Sequence, residues 1–272
     1  MPHGPVEIEL KLLVEAIYHR YSYDFRDYSG ASLKRRVLLS LRHIGCESVG
    51  ALQRRILDDP QAFMELLQYL TIPVTEMFRD PGYYRALREH VVPVLRTYPS
   101  LKIWVAGCST GEEVYSLAIL LHEEGLLERS MLYATDINPR SLERAREGIF
   151  DMRHVRAYTL NYQQAGGTAS FADYYTAAYD SVLLDRSLRN RVTFADHSLA
   201  TDSVFSETHL ISCRNVLIYF NKGLQNRALG LFHESLCRRG FLGLGSKETV
   251  EFSASAERFE PFVKPERIFR KL

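Results

Sequence analysis

A short apolar run that ends in a turn of small residues constrains the fold of this chain more than any other feature. Residues 103–106 read Ile-Trp-Val-Ala, which is typical of a buried strand, and residues 107–111 read Gly-Cys-Ser-Thr-Gly. Glu112 and Glu113 then indicate a helix start, because carboxylates are favourable at the positive end of a helix. A second apolar run ends on Asp136. This order of strand, turn, helix and strand predicts the first half of a nucleotide-binding α/β domain.

The turn and the helix start also indicate the class of ligand. Gly107 lets the backbone approach a ligand closely, and Asp136 at the strand tip can accept hydrogen bonds from both hydroxyls of a ribose. Dinucleotide folds place a pyrophosphate at this helix N-terminus, where Glu112 and Glu113 would repel it. A cationic ligand without phosphate, such as S-adenosylmethionine, suits these carboxylates better. In the alternative interpretation, the two glutamates only stabilise the helix dipole.

Composition narrows the class of protein further. The chain has 272 residues, enough for one large core or two domains, and its net charge of +1 gives no general argument for a nucleic-acid or membrane partner. We find no apolar run near the roughly 20 residues that span a bilayer, and no signal-peptide pattern. The four cysteines are scattered without metal-ligand spacing. We therefore expect a cytoplasmic, monomeric protein with no metal site, no nucleic-acid partner and no membrane insertion.

The N-terminal third of the chain has the apolar spacing of helices. The predicted helices include one over residues 33–44 with Ser32 as its cap, one that is opened by Pro60 and ended by Pro73, and one over residues 81–96. After residue 100 the pattern changes to alternating strands and helices. We therefore predict a helical domain over residues 1–72, a linker or bridging helix over 73–100, and an α/β domain over 101–272.

Predicted strands and helices alternate through most of the α/β domain. The strands are expected at 101–106, 131–135, 191–195, 208–213, 240–245 and 266–271, and the helices at 111–124, 139–147 and 222–238. Such alternation indicates a parallel sheet that is covered on both faces. Residues 150–190 interrupt it with a tyrosine-rich sequence that suits short antiparallel strands. We expect an inserted subdomain there, on the functional edge of the sheet.

Four segments together carry a family resemblance. They are Thr-Glu-Met-Phe-Arg-Asp at 75–80, Ala-Gly-Cys-Ser-Thr-Gly-Glu-Glu at 106–113, Ala-Thr-Asp-Ile at 134–137 and Cys-Arg-Asn-Val-Leu-Ile-Tyr-Phe at 213–220. In this order and spacing they resemble the CheR family, the chemotaxis receptor glutamate methyltransferases. The resemblance implies a Rossmann-like domain dependent on S-adenosylmethionine, with a small antiparallel β-subdomain insertion. It also implies an all-α N-terminal domain before it. The implied product of the cofactor is S-adenosylhomocysteine.

The resemblance, together with the motifs above, assigns roles to particular residues. Thr75 and Arg79 would close over the cofactor, Glu113 would lie near its methionine end, and Arg214 would border its methyl group. The predicted cofactor-binding residues are Thr75, Arg79, Gly107, Glu113, Asp136, Ile137, Ser198, Leu199, Arg214 and Asn215. The chain departs from the family pattern at Pro73 and Ser198, where relatives usually carry asparagine. Both changes remove an amide group from the predicted site.

The implied reaction transfers a methyl group to a glutamate oxygen and forms a γ-methyl ester. A glutamate carboxylate is ionised at neutral pH, since its reference pKa is about 4.3, so the reaction needs no general base. The predicted catalytic residues are Arg214, Tyr219 and Arg96, with either arginine able to hold the acceptor carboxylate as a bidentate fork. Tyr219 is assigned by the resemblance. Arg214 is equally consistent with ordering its own loop.

The acceptor implied by the resemblance is a chemoreceptor-like signalling protein with glutamate methylation sites. Six basic residues and one acidic residue lie between positions 33 and 55, so helix 33–44 could bind an acidic partner or be a solvated face. Nucleic acid is a competing partner for such a patch. An edge strand of the 150–190 subdomain could also bind a receptor tail.

Three other functions are weighed against protein-glutamate methylation. A catalytically weak or inactive protein that binds the cofactor as a sensor or scaffold is consistent with the changes at Pro73 and Ser198. A methyltransferase for RNA or small molecules is favoured only by the basic helix. An NAD-linked dehydrogenase is disfavoured, because the phosphate-binding turn differs.

Overall fold

Four helices form the N-terminal part of the chain in the computed structural model, which describes residues 4–71 and 75–272. They are α1 (Pro5–Tyr21), α2 (Gly30–Ile44), α3 (Val49–Asp58) and α4 (Pro60–Leu70). Their inward faces form one cluster of buried apolar side chains drawn from residues 10–70. The helix predicted to open at Pro60 is confirmed, and Asp59 caps it by accepting a hydrogen bond from the Gln61 backbone N–H.

Helix α2 begins earlier than the sequence predicts. The predicted cap Ser32 lies inside the helix, because α2 starts at Gly30 with Ser29 in the cap position. The backbone N–H of Ser29 donates to the Tyr219 carbonyl at 2.8 Å, so a tertiary contact sets this helix start. Pro73, which is predicted to end the pattern of α4, lies outside the described residues.

The predicted helix over 81–96 is present and contains an irregular turn. Helix α5 (Pro81–Ala86) continues through a π-helical turn at Leu87–Val91 into α6 (Val92–Leu95). Pro93 has no backbone N–H and cannot make the bond that an α-helix requires at this point. In the π-helical turn the Val92 N–H donates to the Leu87 carbonyl, five positions back instead of four. This irregular turn accommodates the hydrogen bond that Pro93 cannot make.

The main sheet has seven strands in the order β6-β2-β1-β7-β8-β10-β9. The strands are β1 (Leu101–Ala106), β2 (Ser130–Asp136), β6 (Val192–Asp196), β7 (Thr208–Cys213), β8 (Leu236–Leu244), β9 (Phe259–Val263) and β10 (Ile268–Lys271). The helices around it include α7 (Glu112–Glu123), α8 (Pro139–Glu147) and α11 (Lys222–Ser235). The Rossmann-like class predicted from the sequence is confirmed.

The far edge of the main sheet differs from the parallel sheet that the alternation of elements predicts. Strands β6, β2, β1, β7 and β8 run parallel, but β10 is antiparallel to both β8 and β9. Strand β9 was not predicted at all. Only a short turn separates β9 from β10, and a parallel pair would need a crossover of a dozen or more residues.

The inserted antiparallel sheet is confirmed and also contains a helix. Strands β3 (Ile149–Asp151), β4 (Tyr175–Ala178) and β5 (Ser181–Leu184) pair in the order β3-β5-β4. Between β3 and β4 lies α9 (Met152–Gln164), which was not predicted, and α10 (Arg186–Arg189) follows β5. The hydroxyls of Tyr162 and Tyr174 donate to the Glu123 carboxylate at 2.5 and 3.0 Å. These bonds attach the insertion to the end of α7.

The helical domain covers the carboxyl edge of the main sheet. Asn221 donates its backbone N–H to the Asp27 carbonyl at 2.8 Å, and the Asn138 side chain donates to Thr71 Oγ1 at 2.8 Å. Gln68 donates to Asn138 Oδ1 at 3.0 Å. Loops that follow the strands are therefore joined to the helical domain on two sides. In the described part of the chain, no helix combines the length and the apolar character needed to cross a bilayer.

Candidate functional site

A pocket lies where the carboxyl ends of β1, β2 and β7 face the helical domain. Ten of the twelve predicted site residues line it, namely Thr75, Arg79, Gly107, Glu113, Asp136, Ile137, Leu199, Arg214, Asn215 and Tyr219. The wall also contains residues that sequence reasoning missed, namely Tyr28, Arg36, Leu70, Thr71, Cys108, Ser109, His197, Val216 and Phe220. Tyr28, Arg36, Leu70 and Thr71 belong to the helical domain, which therefore forms one side of the pocket.

The glycine turn after β1 brings the backbone against the pocket. Gly107 has a φ of +77° and donates its N–H to the Thr135 carbonyl at 2.8 Å, which continues the pairing of β1 with β2. A Cβ at Gly107 would lie 2.5 Å from Val216 Cγ2. Both the positive φ and the close approach require glycine at this position.

Asp136 is held at the tip of β2 by backbone groups. Its Oδ2 accepts from the Ser109 N–H and its Oδ1 from the Asn138 N–H, both at 2.9 Å. Burial raises the pKa of Asp136, and these backbone N–H groups offset part of the rise. Each carboxylate oxygen retains a lone pair, so the fixed side chain can accept hydrogen bonds from two vicinal hydroxyls.

Arg214 is bound on several sides by groups of the protein itself. Its side chain is 1% exposed, and its Nη2 donates to the Arg79 carbonyl and to Asp80 Oδ2, both at 2.8 Å. Its Nη1 lies 3.4 Å from Glu113 Oε2. Burial lowers the pKa of Arg214, but the neighbouring Glu113 carboxylate and other groups outweigh burial and raise it overall. This geometry supports the loop-ordering role for Arg214 more than a fork open to a substrate.

Glu113 belongs to a hydrogen-bond network that joins the segment from Arg79 to Tyr83 to the pocket. Its Oε1 accepts from the Ser212 hydroxyl at 2.7 Å, and the Tyr83 hydroxyl lies 2.9 Å from Ser212 Oγ. The Arg214 guanidinium lies 4.3 Å from the centre of the Tyr83 ring. Glu113 and Asp136 are the carboxylates among the residues that line the pocket, beside the arginines Arg36, Arg79 and Arg214.

Glu248, which sequence reasoning missed, orders the loop after β7. It is 4% exposed, and its carboxylate accepts from the backbone N–H groups of Asn215 (2.9 Å), Gly245 (2.7 Å) and Ile218 (3.2 Å). Asn215 has a φ of +61°, so its backbone adopts the left-handed conformation that asparagine tolerates better than most residues. No local sequence pattern indicates that Glu248 holds this loop, because Glu248 lies 33 positions beyond Asn215.

Arg36 of α2 is a buried cation in the pocket wall. It is 3% exposed, its Nη1 donates to the Leu70 carbonyl, and its guanidinium carbon lies 4.0 Å from the centre of the Tyr219 ring. Its Nε and Nη2 have no hydrogen-bond partner among residues 4–71 and 75–272. The basic surface predicted on helix 33–44 is therefore smaller than expected, since Arg36 faces the pocket and Lys34 pairs with Glu7 at 2.5 Å.

The cofactor role of Ser198 stays a prediction, and the structure gives the local contacts of this residue. Ser198 Oγ accepts from the Ala200 N–H at 3.3 Å, and its own N–H donates to Asp202 Oδ2 at 2.8 Å. The side chain is thus engaged in its own turn and is not part of the pocket wall. The neighbours His197 and Leu199 line the pocket in its place.

The prediction that Arg96 lies near the cleft is wrong. Arg96 precedes β1, whereas the pocket lies beyond the opposite end of that strand. Its side chain is 54% exposed and donates to Glu124 Oε2 at 2.6 Å, at the end of α7. An arginine at the amino edge of a parallel sheet cannot reach a ligand bound at the carboxyl edge.

The polar groups of the pocket fit S-adenosylmethionine. Seven described residues have a buried side-chain nitrogen or oxygen without a hydrogen-bond partner, and four of them, Arg36, Ser109, His197 and Arg214, line this pocket. Unsatisfied buried polar groups are rare in folded proteins, and their concentration here indicates a polar ligand. Asp136 suits the ribose, and the Glu113 carboxylate suits the ammonium of the methionine end.

Comparison with known proteins agrees with this geometry. The family model described as CheR methyltransferase, SAM binding domain, matches residues 73–266, and the CheR methyltransferase, all-alpha domain, matches residues 8–71. A Pseudomonas putida protein named "Putative methyltransferase Cher3" is 70% identical over 265 residues, which are 97% of each chain. The chemotaxis protein methyltransferase of Listeria monocytogenes is 31% identical and covers 84% of each chain. That of Escherichia coli is 28% identical over 93% of this chain and 87% of its own length.

Proposed function

Because the chain belongs to the CheR methyltransferase family and carries its domain for binding S-adenosylmethionine, we propose that it methylates glutamate side chains of a chemoreceptor-like signalling protein. The product is a γ-glutamyl methyl ester and the second product is S-adenosylhomocysteine. The names of the Listeria and Escherichia relatives support chemotaxis as the setting.

The observation that carries the acceptor class is the buried guanidinium of Arg36. Two of its nitrogens have no partner in the described part of the chain, although the residue is 3% exposed. A buried donor without a partner costs about 1–3 kcal/mol, and more when it is charged. A carboxylate that enters the pocket would provide the missing acceptor and neutralise the charge. Arg36 is therefore a better candidate to hold the acceptor glutamate than Arg214, which is already bound on several sides.

Alignment of the reacting groups accounts for catalysis in this proposal. When bound, S-adenosylmethionine supplies an electrophilic methyl group. The acceptor glutamate is already ionised, so the protein has to orient it and exclude water, which can be worth several kcal/mol of the barrier. The Tyr219 ring against Arg36 and the loop held by Glu248 provide fixed surfaces for that orientation.

Docking of the acceptor protein would use surfaces outside the pocket. The exposed arginines on α2 are Arg35 and Arg42, and a negatively charged receptor segment would be attracted to them. The edge strands β3 and β4 of the inserted sheet have unpaired backbone groups on one side, which a receptor tail could pair with.

The proposal is tested by methyl transfer from radiolabelled S-adenosylmethionine to a chemoreceptor signalling fragment that carries glutamate methylation sites. A glutamyl ester releases labelled methanol in mild alkali. We expect Arg36→Ala to bind S-adenosylhomocysteine but to lose at least about 100-fold in kcat/KM, since a buried charged hydrogen-bond pair is worth several kcal/mol. The exposed Arg35→Ala is the matched control and should change kcat/KM by no more than about fivefold, because exposed ion pairs contribute about 1 kcal/mol or less.

Other outcomes identify the alternatives. Binding of S-adenosylhomocysteine without any ester would support the sensor or scaffold function. Label that is stable in alkali would indicate methylation of a different acceptor class. Equal activity of the Arg36 and Arg35 variants would contradict the assignment of Arg36.

A further inference from the structure

His197 is a second buried polar residue in the pocket whose hydrogen-bonding capacity is incomplete. It directly follows β6, is 8% exposed and lines the pocket. Its Nε2 lies 3.2 Å from the Ser203 carbonyl oxygen. A carbonyl can only accept, so Nε2 carries the proton, and in the neutral ring Nδ1 is an acceptor. Nδ1 has no partner among the residues that the structure describes.

The His197 ring is fixed by its surroundings. It makes edge-to-face contacts with Trp104 and Phe205, at centroid distances of 5.2 and 5.4 Å. Trp104 is itself held by a 2.9 Å hydrogen bond from its Nε1 to Thr135 Oγ1. A fixed and buried acceptor without a partner costs about 1–3 kcal/mol. The ring is therefore prepared for a donor that a ligand brings into the pocket.

The position of His197 identifies the part of the ligand that supplies this donor. It follows β6, which pairs with β2, and Asp196 at the end of β6 is opposite Asp136 in the register of the two strands. The apolar side chains of Ile137 and Leu199 line the same pocket. A carboxylate for ribose hydroxyls beside apolar surfaces for a flat ring defines the nucleoside end of the site.

We propose that His197 Nδ1 accepts a hydrogen bond from the exocyclic amine of the adenine ring, and that it makes the site selective for adenine over purines with a carbonyl at that position. Ser198 and Asp202 are engaged with each other through the 2.8 Å bond from the Ser198 N–H, and Thr201 also donates to Asp202. His197 thus supplies the side-chain acceptor that Ser198 does not offer. The proposal rests on cofactor binding and is independent of the acceptor protein.

The test compares two ligands by titration calorimetry, S-adenosylhomocysteine and S-inosylhomocysteine, in which a carbonyl replaces the amine. The wild-type protein should bind the adenine ligand at least about tenfold more tightly, because the carbonyl would face an acceptor and one hydrogen bond would be lost. His197→Phe keeps an aromatic ring against Trp104 but has no acceptor. We expect its preference to fall below about threefold.

Two further variants separate recognition from packing. His197→Asn retains an acceptor oxygen and should keep part of the preference for the amine. His209→Phe is the matched control, since its ring is also partly buried but its Nδ1 accepts from the Lys102 N–H at the amino edge of the sheet. It should discriminate like the wild type.

Several results would overturn the proposal. One is equal binding of both ligands by the wild-type protein, and another is an unchanged preference in His197→Phe. An equal loss of affinity for both ligands in that variant would show that the ring only packs. If His197→Phe does not fold, the ratio of the affinities for the two ligands in the wild type and in His197→Asn tests the proposal. Failure of this proposal leaves ester formation unaffected, whereas failure of the proposed function appears as bound S-adenosylhomocysteine without alkali-labile label.

Discussion

At the residue scale, three carboxylates in the pocket or bonded to its wall differ in their surroundings. Asp136 is held by backbone N–H groups and keeps lone pairs for a ligand, whereas Glu113 is engaged by Ser212 and Arg214. Glu248 does not line the pocket, and its carboxylate accepts hydrogen bonds from the backbone of Asn215, Ile218 and Gly245. The three carboxylates therefore have three different sets of partners, and only Glu248 is fully buried.

Asp136→Ala should weaken binding of S-adenosylhomocysteine by at least about 100-fold, because it removes two hydrogen bonds to a charged group, each worth about 1.5–3 kcal/mol. Titration calorimetry measures the change. Asp196→Ala is the control, since that exposed aspartate ends the neighbouring strand and does not line the pocket. Unchanged affinity in Asp136→Ala, with a melting temperature that shows a folded protein, would exclude the ribose role.

The free energy of unfolding should depend on pH through the titration of Glu248. Burial raises its pKa in the folded protein, and the backbone hydrogen bonds offset part of this rise. At pH values between the pKa of Glu248 in the unfolded chain and its higher pKa in the folded protein, the folded state binds more protons. The free energy of unfolding therefore falls as the pH rises through the pKa of Glu248 in the folded protein. Glu248→Gln removes this contribution.

We therefore expect the free energy of unfolding of the wild type, minus that of Glu248→Gln, to decrease as the pH rises from 4 toward 7. Urea unfolding at several pH values measures this difference. The exposed Glu251→Gln in the same segment should follow the wild-type pH profile. A difference that stays constant or grows with pH would contradict the assignment of a raised pKa to Glu248.

At the element scale, contacts between elements decide local details that periodicity leaves open. Helix α2 starts where Ser29 bonds to Tyr219, and the helix over 81–95 widens by one π turn before Pro93. The turn between β8 and Glu248 is similarly constrained, because it packs against the Asn215 loop. These elements are short, and their ends depend on partners far away in the chain.

Two glycines allow a direct comparison of packing. A Cβ at Gly245 would lie 2.8 Å from both the Asn215 backbone nitrogen and Glu248 Oε2, whereas a Cβ at Gly230 in α11 would meet nothing within 4 Å. Gly230→Ala should raise the free energy of unfolding by about 0.5–1 kcal/mol, since alanine is the better helix former. Gly245→Ala should lower it and reduce methyl transfer. Chemical denaturation compares the two variants, and equal effects would show that the Asn215 loop is not tightly packed.

At the scale of the whole molecule, the helical domain completes the pocket. Tyr28, Arg36, Leu70 and Thr71 line it from that domain, and hydrogen bonds from Asn221 and Asn138 connect the two domains on either side. A ligand held between the domains should therefore stabilise both of them.

Hydrogen exchange can test this coupling. S-adenosylhomocysteine should slow amide exchange in residues 25–36 of the helical domain as well as in the turn at 107–111, because Tyr28 and Arg36 of the first segment and Gly107 of the second line the pocket. Helix α3 (Val49–Asp58), which contributes no residue to the pocket wall, should exchange at an unchanged rate. Protection confined to residues beyond 100 would show that the helical domain takes no part in cofactor binding.

The amino-acid sequence by itself determined those features that depend on neighbouring residues. The turn of Gly107 and Asp136 at the tip of β2 follow from local patterns, because backbone conformation and strand ends are set within a few positions. The same holds for the α/β alternation and for the capped helix at Pro60. The family resemblance added Thr75, Arg79, Arg214 and Tyr219, which all line the pocket.

Only the tertiary structure decided the features that depend on groups distant in the chain. Arg36 and Arg35 are adjacent in the sequence, yet one is buried in the pocket and the other is exposed. Ser198 stands at a position that the resemblance assigned to the cofactor, but its side chain is engaged in a turn and its neighbour His197 lines the pocket. Arg96 lies at the opposite edge of the sheet. Burial and unsatisfied hydrogen bonds arise when elements pack together, and no spacing along the chain records them.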